Sequence, residues 1–432
     1  MKRFFALLLA TTIISTFVYS QSKQELKKKF VNAEFALLYE EYQEALPLFL
    51  ELYNSGRKDA NIEYRIGICY LNIPNEKDKA IPYLEDAVQN ISENYNAGYF
   101  TEKQAPNKAY YHLGIAYRIN NQLNKALVLL NKYKKLLNEN DTENLENVNV
   151  QIKSCKNAIE LSNTPTNLFE KNLGKAINTT FANNNAVVSE DESIIIFLNS
   201  LRFYDGIFCS VKRNGRWLSS RNISLQFKSD KPLKPVFLTR DGKTLYLQRN
   251  DNDNLNLYKS KFENDLWTPI EKLNSNINTK STETHACISD DGKILYFTSD
   301  RDGGFGGLDI YKSYLDKNNE WGPAINLGST INTSLDEDTP FITEDGNTLY
   351  FSSQGHLNIG GFDIFYSTKN NNTWDTPINI GYPFNSTDDD IFFFPLKNGK
   401  IAYYSKLKPI GYGNNDIYRI QIFERVNILK EK

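Results

Sequence analysis

Histidine, cysteine and methionine are scarce in this 432-residue chain, which has three, four and one of them. His112, His285 and His356 are far apart in the sequence, and none belongs to an HExxH motif. The cysteines are Cys69, Cys155, Cys209 and Cys287, and their spacing matches no CxxC or other metal-binding motif. We therefore expect four buried free thiols, no cofactor and no metal site of the zinc type.

Motifs that mark common catalytic sites are also missing. The sequence contains no G-x-S-x-G elbow, no Walker loop and no kinase signature. The glycine-rich stretch 303–307 joins two apolar runs of strand type and opens no helix, so it does not fit a phosphate-binding loop. The net charge of −2 provides no basic field for nucleic acid. We predict no catalytic residues, no enzyme activity and no nucleic-acid partner.

Only one long apolar run is present, and it lies at the start of the chain. Lys2-Arg3 precedes the apolar stretch 4–19, and Val18-Tyr-Ser20 fits the small-residue rule for cleavage. This pattern predicts a signal peptide at 1–20 and an exported, soluble mature protein. The alternative is an N-terminal membrane anchor, which we favour less because the run is short for a bilayer.

Asp-Gly or Asn-Gly pairs precede four apolar runs of alternating type, which is a strong β-hairpin signal. The pairs are Asp241-Gly242, Asp291-Gly292, Asp345-Gly346 and Asn398-Gly399. Their glycines lie about 50 to 54 residues apart, a period typical of β-propeller blades. A weaker copy at Asp191-Glu192 begins the series. The pattern predicts five blades, with six left open because the first unit is degenerate at 222–235.

Two further markers repeat with the same period. Tryptophans recur at Trp217, Trp267, Trp321 and Trp374, and a motif ending in Asn-Thr or Asn-Ser begins at Leu173, Leu273, Leu327 and Ile380. The copy at Leu173 stands before the first unit, whereas the last unit has only three strands. We predict that the strand near Leu173 supplies the missing outer strand and closes the ring, which removes open sheet edges.

A helical period covers the first part of the chain, from about residue 24 to residue 161. Gly114 and Ala126 are 12 residues apart, a spacing that lets two paired helices touch. This copy resembles the tetratricopeptide consensus, as does the stretch from Tyr64 to Ala87, and a weaker copy surrounds Ala33 and Ala45. The polar stretch 91–106 reads as a long loop. We predict a helical domain at 21–162, a linker at 163–170, a propeller at 171–425 and a tail at 426–432.

The repeats at 281–330 resemble the WD40-like repeats of the TolB-type propeller in Bacteroidota envelope proteins. Many of those proteins carry tetratricopeptide repeats in front and an OmpA-type peptidoglycan-binding domain behind. The resemblance implies an α-solenoid followed by an all-β propeller, a periplasmic or outer-membrane-associated location, and protein partners in the envelope. No OmpA-type domain is visible, so we expect attachment only through a partner.

Candidate binding residues follow from this architecture. In the helical domain, polar and aromatic positions suit an extended peptide partner, or form merely a solvated concave face: Asn61, Tyr64, Asn72, Tyr111 and Arg118. In the propeller, loops gathered at one end suit a protein partner: Arg301, Asp302, Phe305, His356 and Tyr412. Phe305 is either a partner anchor or a plug for its own blade.

Recurring carboxylates, at Glu283, Asp336-Glu-Asp338 and Asp388-Asp-Asp390, fit blade corners at which they bind backbone amides, with calcium binding as the alternative. The function predicted is a non-catalytic protein-interaction scaffold of the cell envelope. The alternative is a glycan- or peptide-binding sensor that uses the propeller mouth, which would require a deep polar pocket on the axis.

Overall fold

The computed structural model describes residues 23–408 and 410–423, so the predicted signal peptide and C-terminal tail lie outside the described residues. The chain divides between Cys155 and Lys156 into two compact units, a helical one and a β one. Within the described residues, no helix has the length and apolar character needed to cross a membrane. The burial predicted for the four cysteines is confirmed, and all four are free thiols.

The described part of the chain has seven helices before the β unit, and the second to the sixth pack side by side in succession. They are α1 (23–38), α2 (Tyr42–Asn54), α3 (Ala60–Asn72), α4 (Ala80–Ala87), α5 (Lys108–Ile119), α6 (Leu123–Leu136) and α7 (Thr142–Ser162). Asp59 caps α3 by accepting a hydrogen bond from the Ile62 amide. A short 3-10 helix, Lys77–Lys79, precedes α4.

Glycines allow the paired helices to approach closely. A Cβ atom on Gly114 of α5 would lie 2.8 Å from Leu130 Cγ and 3.6 Å from the Ala126 carbonyl oxygen of α6. The equivalent atom on Gly67 of α3 would lie 2.5 Å from Leu84 Cγ of α4. The close contact predicted for Gly114 and α6 is therefore confirmed, with Leu130 as the nearest neighbour.

The predicted loop at 91–106 is pinned at both ends by a two-residue parallel ladder. Its strands are β1 (Ile91–Ser92) and β2 (Ala105–Pro106), and Ala105 N donates to Asn90 O at 2.9 Å. We call residues 91–106 the groove segment. Most of its middle is exposed.

The β unit is a five-bladed propeller, in which each blade is an antiparallel sheet. Blade 1 contains β4 (Ala182–Val188), β5 (Ile194–Ser200), β6 (Asp205–Arg213), β7 (Arg216–Trp217) and β8 (Arg221–Asn222). Blade 2 contains β9 (Leu233–Leu238), β10 (Thr244–Asn250), β11 (Leu255–Glu263), β12 (Leu266–Trp267) and β13 (Glu271–Lys272). A 3-10 helix, Ser224–Phe227, links them.

The remaining three blades repeat this order. Blade 3 contains β14 (Glu283–Ile288), β15 (Ile294–Ser299), β16 (Asp309–Tyr314) and β17 (Ile325–Asn326). Blade 4 contains β18 (Glu337–Ile342), β19 (Thr348–Ser353), β20 (Asp363–Asn370), β21 (Thr373–Trp374) and β22 (Ile378–Asn379). Blade 5 contains β23 (Phe394–Leu396), β24 (Ile401–Lys406), β25 (Asp416–Ile422) and the earlier strand β3 (Leu168–Asn172).

The strand before blade 1 closes the ring, as predicted. β3 pairs antiparallel with β25 in a register that sets Glu170 opposite Ile420. Beyond the ends of the ladder, Leu173 N donates to Ile417 O at 3.2 Å and Phe423 N donates to Asn167 O at 3.1 Å. We call β3 the closure strand.

Side chains of the innermost strands fill the centre of the ring. Each blade contributes one buried residue from the equivalent position of its innermost strand: Val187, Phe237, Cys287, Phe341 and Phe394. Phe237 of blade 2 lies 5.6 Å from Phe341 of blade 4 and 5.9 Å from Phe394 of blade 5, ring centre to ring centre. Since blades 2 and 4 are not neighbours, these rings meet across the axis and close it.

Candidate functional site

The repeated asparagine of the sequence motif clamps the third strand of a blade. Asn332 Oδ1 accepts from the Ile310 amide at 2.8 Å, and its Nδ2 donates to Ile310 O at 3.0 Å. Asn385 makes the same pair of bonds with Ile364. The equivalent bonds occur at Asn178 and Asn278. These side chains are buried, so the motif stabilises the blades.

The recurring carboxylates bind backbone and hydroxyl groups at blade corners, as the sequence indicated. Glu337 accepts from the Thr333 amide and hydroxyl and from the Ser353 hydroxyl at 2.7 Å. Burial raises the pKa of Glu337 to about 7. Glu283 makes the equivalent bonds with Thr279 and Ser299. Among the described residues, no group of three or more acidic, histidine or cysteine side chains is arranged to hold a metal ion.

A second set of carboxylates shapes the connections between the second and third strands of the blades. Asp309 accepts from the amides of Phe305 (2.6 Å) and Gly306 (3.2 Å), and Asp363 accepts from those of Ile359 (2.6 Å) and Gly360 (3.1 Å). We call these five connections the loop face, because in antiparallel blades they all lie at one end of the ring.

The structure separates the predicted propeller residues into two groups. Asp302, Phe305 and Tyr412 are exposed on the loop face, Phe305 by 52% and Tyr412 by 48%. Arg301 is instead half-buried, and its Nη2 donates at 2.7 Å to Ile277 O of the segment that precedes blade 3. His356 also turns inward, with Nε2 2.9 Å from Ile331 O. Burial lowers the pKa of His356.

Sequence reasoning missed four exposed apolar residues of the loop face. Phe203 (86%), Tyr204 (57%), Leu357 (58%) and Ile410 (94%) lie in the connections of blades 1, 4 and 5 that correspond to the Phe305 connection of blade 3. Each stands between a second and a third strand, and that position is the signal that would have identified them. The loop face therefore carries several large apolar side chains in contact with solvent.

The predicted groove residues of the helical unit are mostly covered. Asn61 and Arg118 are buried, and so is Tyr64, whose hydroxyl lies 3.1 Å from His112 Nδ1. Tyr111 is half-buried against the Tyr133 ring. Asn72 alone of the predicted five is exposed, and its Nδ2 donates to Ile68 O of its own helix. Their role in binding a partner stays a prediction.

A histidine and an aspartate from neighbouring blades contact each other, and the histidine ring lies 5.8 Å from the Phe392 ring. His285 Nδ1 lies 2.9 Å from Asp338 Oδ1, and the Thr284 hydroxyl donates to the same oxygen at 2.6 Å. Burial raises the pKa of Asp338, but the charge of His285 and these hydrogen bonds outweigh it, so the pKa is lowered.

Comparison with solved structures finds several that are similar to part of this chain. Matches to solved structures include TolB from Acinetobacter baumannii, with 15% identity and a TM-score of 0.38 over 57% of this chain and 56% of that chain. A putative TolB from Agrobacterium tumefaciens has 13% identity and a TM-score of 0.36 over 57% of this chain and 78% of that one. This chain thus spans only about half the length of the first TolB. No protein-family model and no curated protein matches the sequence.

The prediction that the chain is not an enzyme, which rested on missing motifs, is contradicted, because the similar structures include enzymes. Similar structures include the catalytic domain of the Coprinopsis cinerea GH62 α-L-arabinofuranosidase, with 11% identity and a TM-score of 0.40 over 60% of this chain and 97% of that one. A family-43 glycoside hydrolase also matches. The prediction rested on missing motifs, and groups from separate blades, such as His285 and Asp338, come together in the fold without forming a sequence motif.

At these identities and TM-scores the likeness concerns the fold and transfers no activity. The strand order itself identifies the architecture. Tetratricopeptide repeats and a Bacteroidota source stay predictions. Within the described residues, a helical region of seven helices precedes a five-bladed β-propeller.

Proposed function

We propose that this chain is an exported protein-interaction scaffold of the bacterial envelope, and that the loop face of its propeller binds a protein partner. The observation that carries the proposal is the set of large apolar side chains exposed there, above all Phe203, Ile410 and Phe305. Soluble proteins rarely expose several such residues in one region without a binding role. Aromatic side chains are also enriched where interfaces are strongest.

Two of the loops that carry exposed apolar residues, those of Phe305 and Leu357, are held by hydrogen bonds to their backbone, which favours specific recognition. Asp309 and Asp363 fix their loops by bonds to backbone amides, and the loops press closely against the next blade. A preorganised surface loses little conformational entropy when a partner binds. Loops on a rigid scaffold are a common location for binding residues.

The sequence supports the proposed location and a second contact. The pattern at 1–20 fits a signal peptide, and the repeat resemblance points to Bacteroidota envelope proteins. We propose a periplasmic protein, associated with the outer membrane through its partner, in which the helical groove binds a peptide segment of an envelope protein. The alternative of a ligand sensor at the propeller mouth has less support, because Phe237, Phe341 and Phe394 fill the axis.

Site-specific photocrosslinking tests the proposal. A photoreactive phenylalanine analogue would replace Phe203, Phe305 or Tyr412 in the full-length protein, in intact cells of the source organism. The control position is Lys293, which is exposed in a hairpin turn at the opposite end of the ring. We expect one adduct of the same mass from the loop-face positions and none from Lys293. Equal labelling at both ends, or no adduct at the loop face, would refute the proposal.

A further inference from the structure

The groove segment lies against α3 and the residues before it as an extended peptide lies in a binding groove. Arg57 Nη1 donates to Phe100 O at 2.8 Å, and Arg57 Nη2 donates to Glu102 O at 3.3 Å. Asn61 Nδ2 donates to the same Glu102 oxygen at 3.1 Å. The helical unit thus recognises two backbone carbonyls of this segment, a contact that any extended peptide can provide.

Two aromatic side chains anchor the groove segment. The Phe100 ring lies 5.7 Å from the Phe30 ring of α1, and the Arg57 guanidinium lies 4.5 Å from the centre of the Phe100 ring. An aromatic ring held between a second ring and a cation is a favourable arrangement.

The second anchor, Tyr95, is bound by buried polar groups. Its hydroxyl donates to Asn61 Oδ1 at 2.7 Å and accepts from Arg65 Nη1 at 2.7 Å. Arg65 is held in turn by Glu34 of α1, through its Nη2 at 2.8 Å. Asn61 is fully buried and Arg65 nearly so. The Tyr95 hydroxyl therefore provides a hydrogen-bond partner for polar groups that water would otherwise have to reach.

The middle of the segment is packed much less closely than its anchors. Tyr99 is 65% exposed and Gly98 has a φ of +75°. A cavity of about 540 Å³ separates this tip from the start of α1, and Lys23, Lys27 and Val31 line its far side. The tip therefore leaves room beside it for a bulkier occupant.

We infer that Phe30, Arg57, Asn61 and Arg65 form a binding site for an extended peptide with two aromatic side chains, and that the groove segment is its built-in occupant. A partner peptide of the same chemistry displaces the segment. This deepens the peptide-binding role proposed for the helical unit and is independent of the loop face. Asn61 is buried because the groove segment covers it, whereas the sequence analysis placed Asn61 in an open groove.

A peptide with the sequence of residues 91–106 tests the inference by fluorescence polarisation. In one full-length variant, residues 93–103 are replaced by a Gly/Ser linker of equal length. We expect this variant to bind the labelled peptide in a saturable way, and the wild-type protein to bind it at least tenfold more weakly, because its own segment competes. A peptide with Phe100→Ala should lose at least fivefold in affinity.

Matched substitutions in the linker variant identify the site. Arg57→Ala should weaken peptide binding at least tenfold, whereas Asn131→Ala, an exposed position on α6, should leave it unchanged. Binding that is absent from the folded linker variant, or unaffected by Arg57→Ala, overturns the inference. Crosslinking at the loop face is a separate readout, so the two proposals fail independently.

Hydrogen exchange of the wild-type protein covers the case in which the linker variant does not fold. The Ala105 amide, which bonds to Asn90 O, should exchange at least tenfold faster than the buried amides of α3, because the segment opens without unfolding the helices. Equal exchange rates would show that the segment is an inseparable part of the helical core and would overturn the inference.

Discussion

Arg419 Nε of blade 5 donates a hydrogen bond of 2.6 Å to Glu192 Oε1 of blade 1. Tyr403 of blade 5 donates to the same oxygen, and Arg419 Nη2 reaches the other oxygen at 3.1 Å. Glu192 occupies the hairpin-turn position that is glycine in the other four blades, and it has a φ of +56°. The departure from the Asp-Gly pattern thus coincides with a charged contact at the seam between the last and first blades.

Glu192→Gln should lower the free energy of unfolding by about 1.5 to 3 kcal/mol, the value for hydrogen bonds to charged groups. The substitution keeps the size of the side chain and removes its charge beside Arg419. Urea denaturation measures the change. The control is Glu271→Gln, because Glu271 is exposed and its 3.6 Å pair with Lys259 should contribute less than about 1 kcal/mol. Equal effects of the two substitutions would contradict this prediction.

The contribution of Glu192 should also depend on pH. Burial raises the pKa of Glu192, but the hydrogen bonds from Arg419 and Tyr403 and the nearby positive charges outweigh it and lower the pKa to about 2. A carboxyl group whose pKa is lower in the folded state stabilises the protein above its unfolded pKa and loses that effect as pH falls. The stability difference between the wild type and Glu192→Gln should be constant above about pH 5 and should vanish towards pH 2. A difference that stayed constant down to pH 2 would contradict the assignment.

Phe169→Pro should weaken the closure strand. Leu173 N bonds to Ile417 O, and by the alternation of an antiparallel ladder the Phe169 amide also points towards β25. Proline removes this donor, at a cost of about 1 to 3 kcal/mol, while the exposed Phe169 side chain leaves the core unaffected. Thermal unfolding should show the loss, and Phe169→Thr, which keeps the amide, serves as the control. Equal melting temperatures would argue against a closing role for this strand.

Gly306→Ala should destabilise the loop that carries Phe305. A Cβ atom at this position would lie 2.1 Å from Leu335 O and 2.7 Å from Thr333 O, so the loop or the following segment must move. We expect a loss of about 1 to 3 kcal/mol, as for other overpacked sites. The matched control is Gly303→Asn, because open space surrounds Gly303 and asparagine tolerates its φ of +89°. Chemical denaturation compares the two, and a larger effect at Gly303 would be contrary to expectation.

Asn332→Ala should be among the most harmful single changes in blade 3. The substitution removes the acceptor of the buried Ile310 N–H and one of two donors to the Ile310 carbonyl, which keeps its bond from the Leu327 amide. An unsatisfied buried group costs about 1 to 3 kcal/mol. Asn318→Ala, in an exposed turn, is the control and should change stability by less than about 0.5 kcal/mol. Denaturant unfolding measures both, and similar values would show that the clamp is dispensable.

The sequence predicted repeats well and individual contacts poorly. The positions of Gly242, Gly292 and Gly346, all with φ near +70°, could be recognised because a tight hairpin turn restricts the residue locally. The closure strand could be recognised because its motif stands outside its own repeat. By contrast, nothing near Asn61 indicates the groove segment that covers it, since a polar loop of 16 residues has no periodic pattern to predict its docking.

The exposure of the candidate site residues was also difficult to predict from the sequence. Arg301 and His356 occupy loop positions that look accessible in the sequence, yet both side chains bond to carbonyl oxygens of the segments that precede their blades, 24 and 25 residues earlier in the chain. Phe305 could not be assigned to the surface or to the blade from its glycine neighbours, and it is exposed. The meeting of His285 and Asp338 depends on the packing of two blades, which only the folded ring brings about.

The closure strand has a consequence for how the molecule matures. Asn172 and Asp416 bond to each other although 244 residues separate them along the chain. A polypeptide that is translated, or threaded through a membrane, from its amino end presents this strand long before its partner emerges. Blades 1 to 4 can therefore assemble in succession while the closure strand is still unpaired. The ring closes only when this strand pairs with β25, a late and non-local step that is expected to limit the rate of folding.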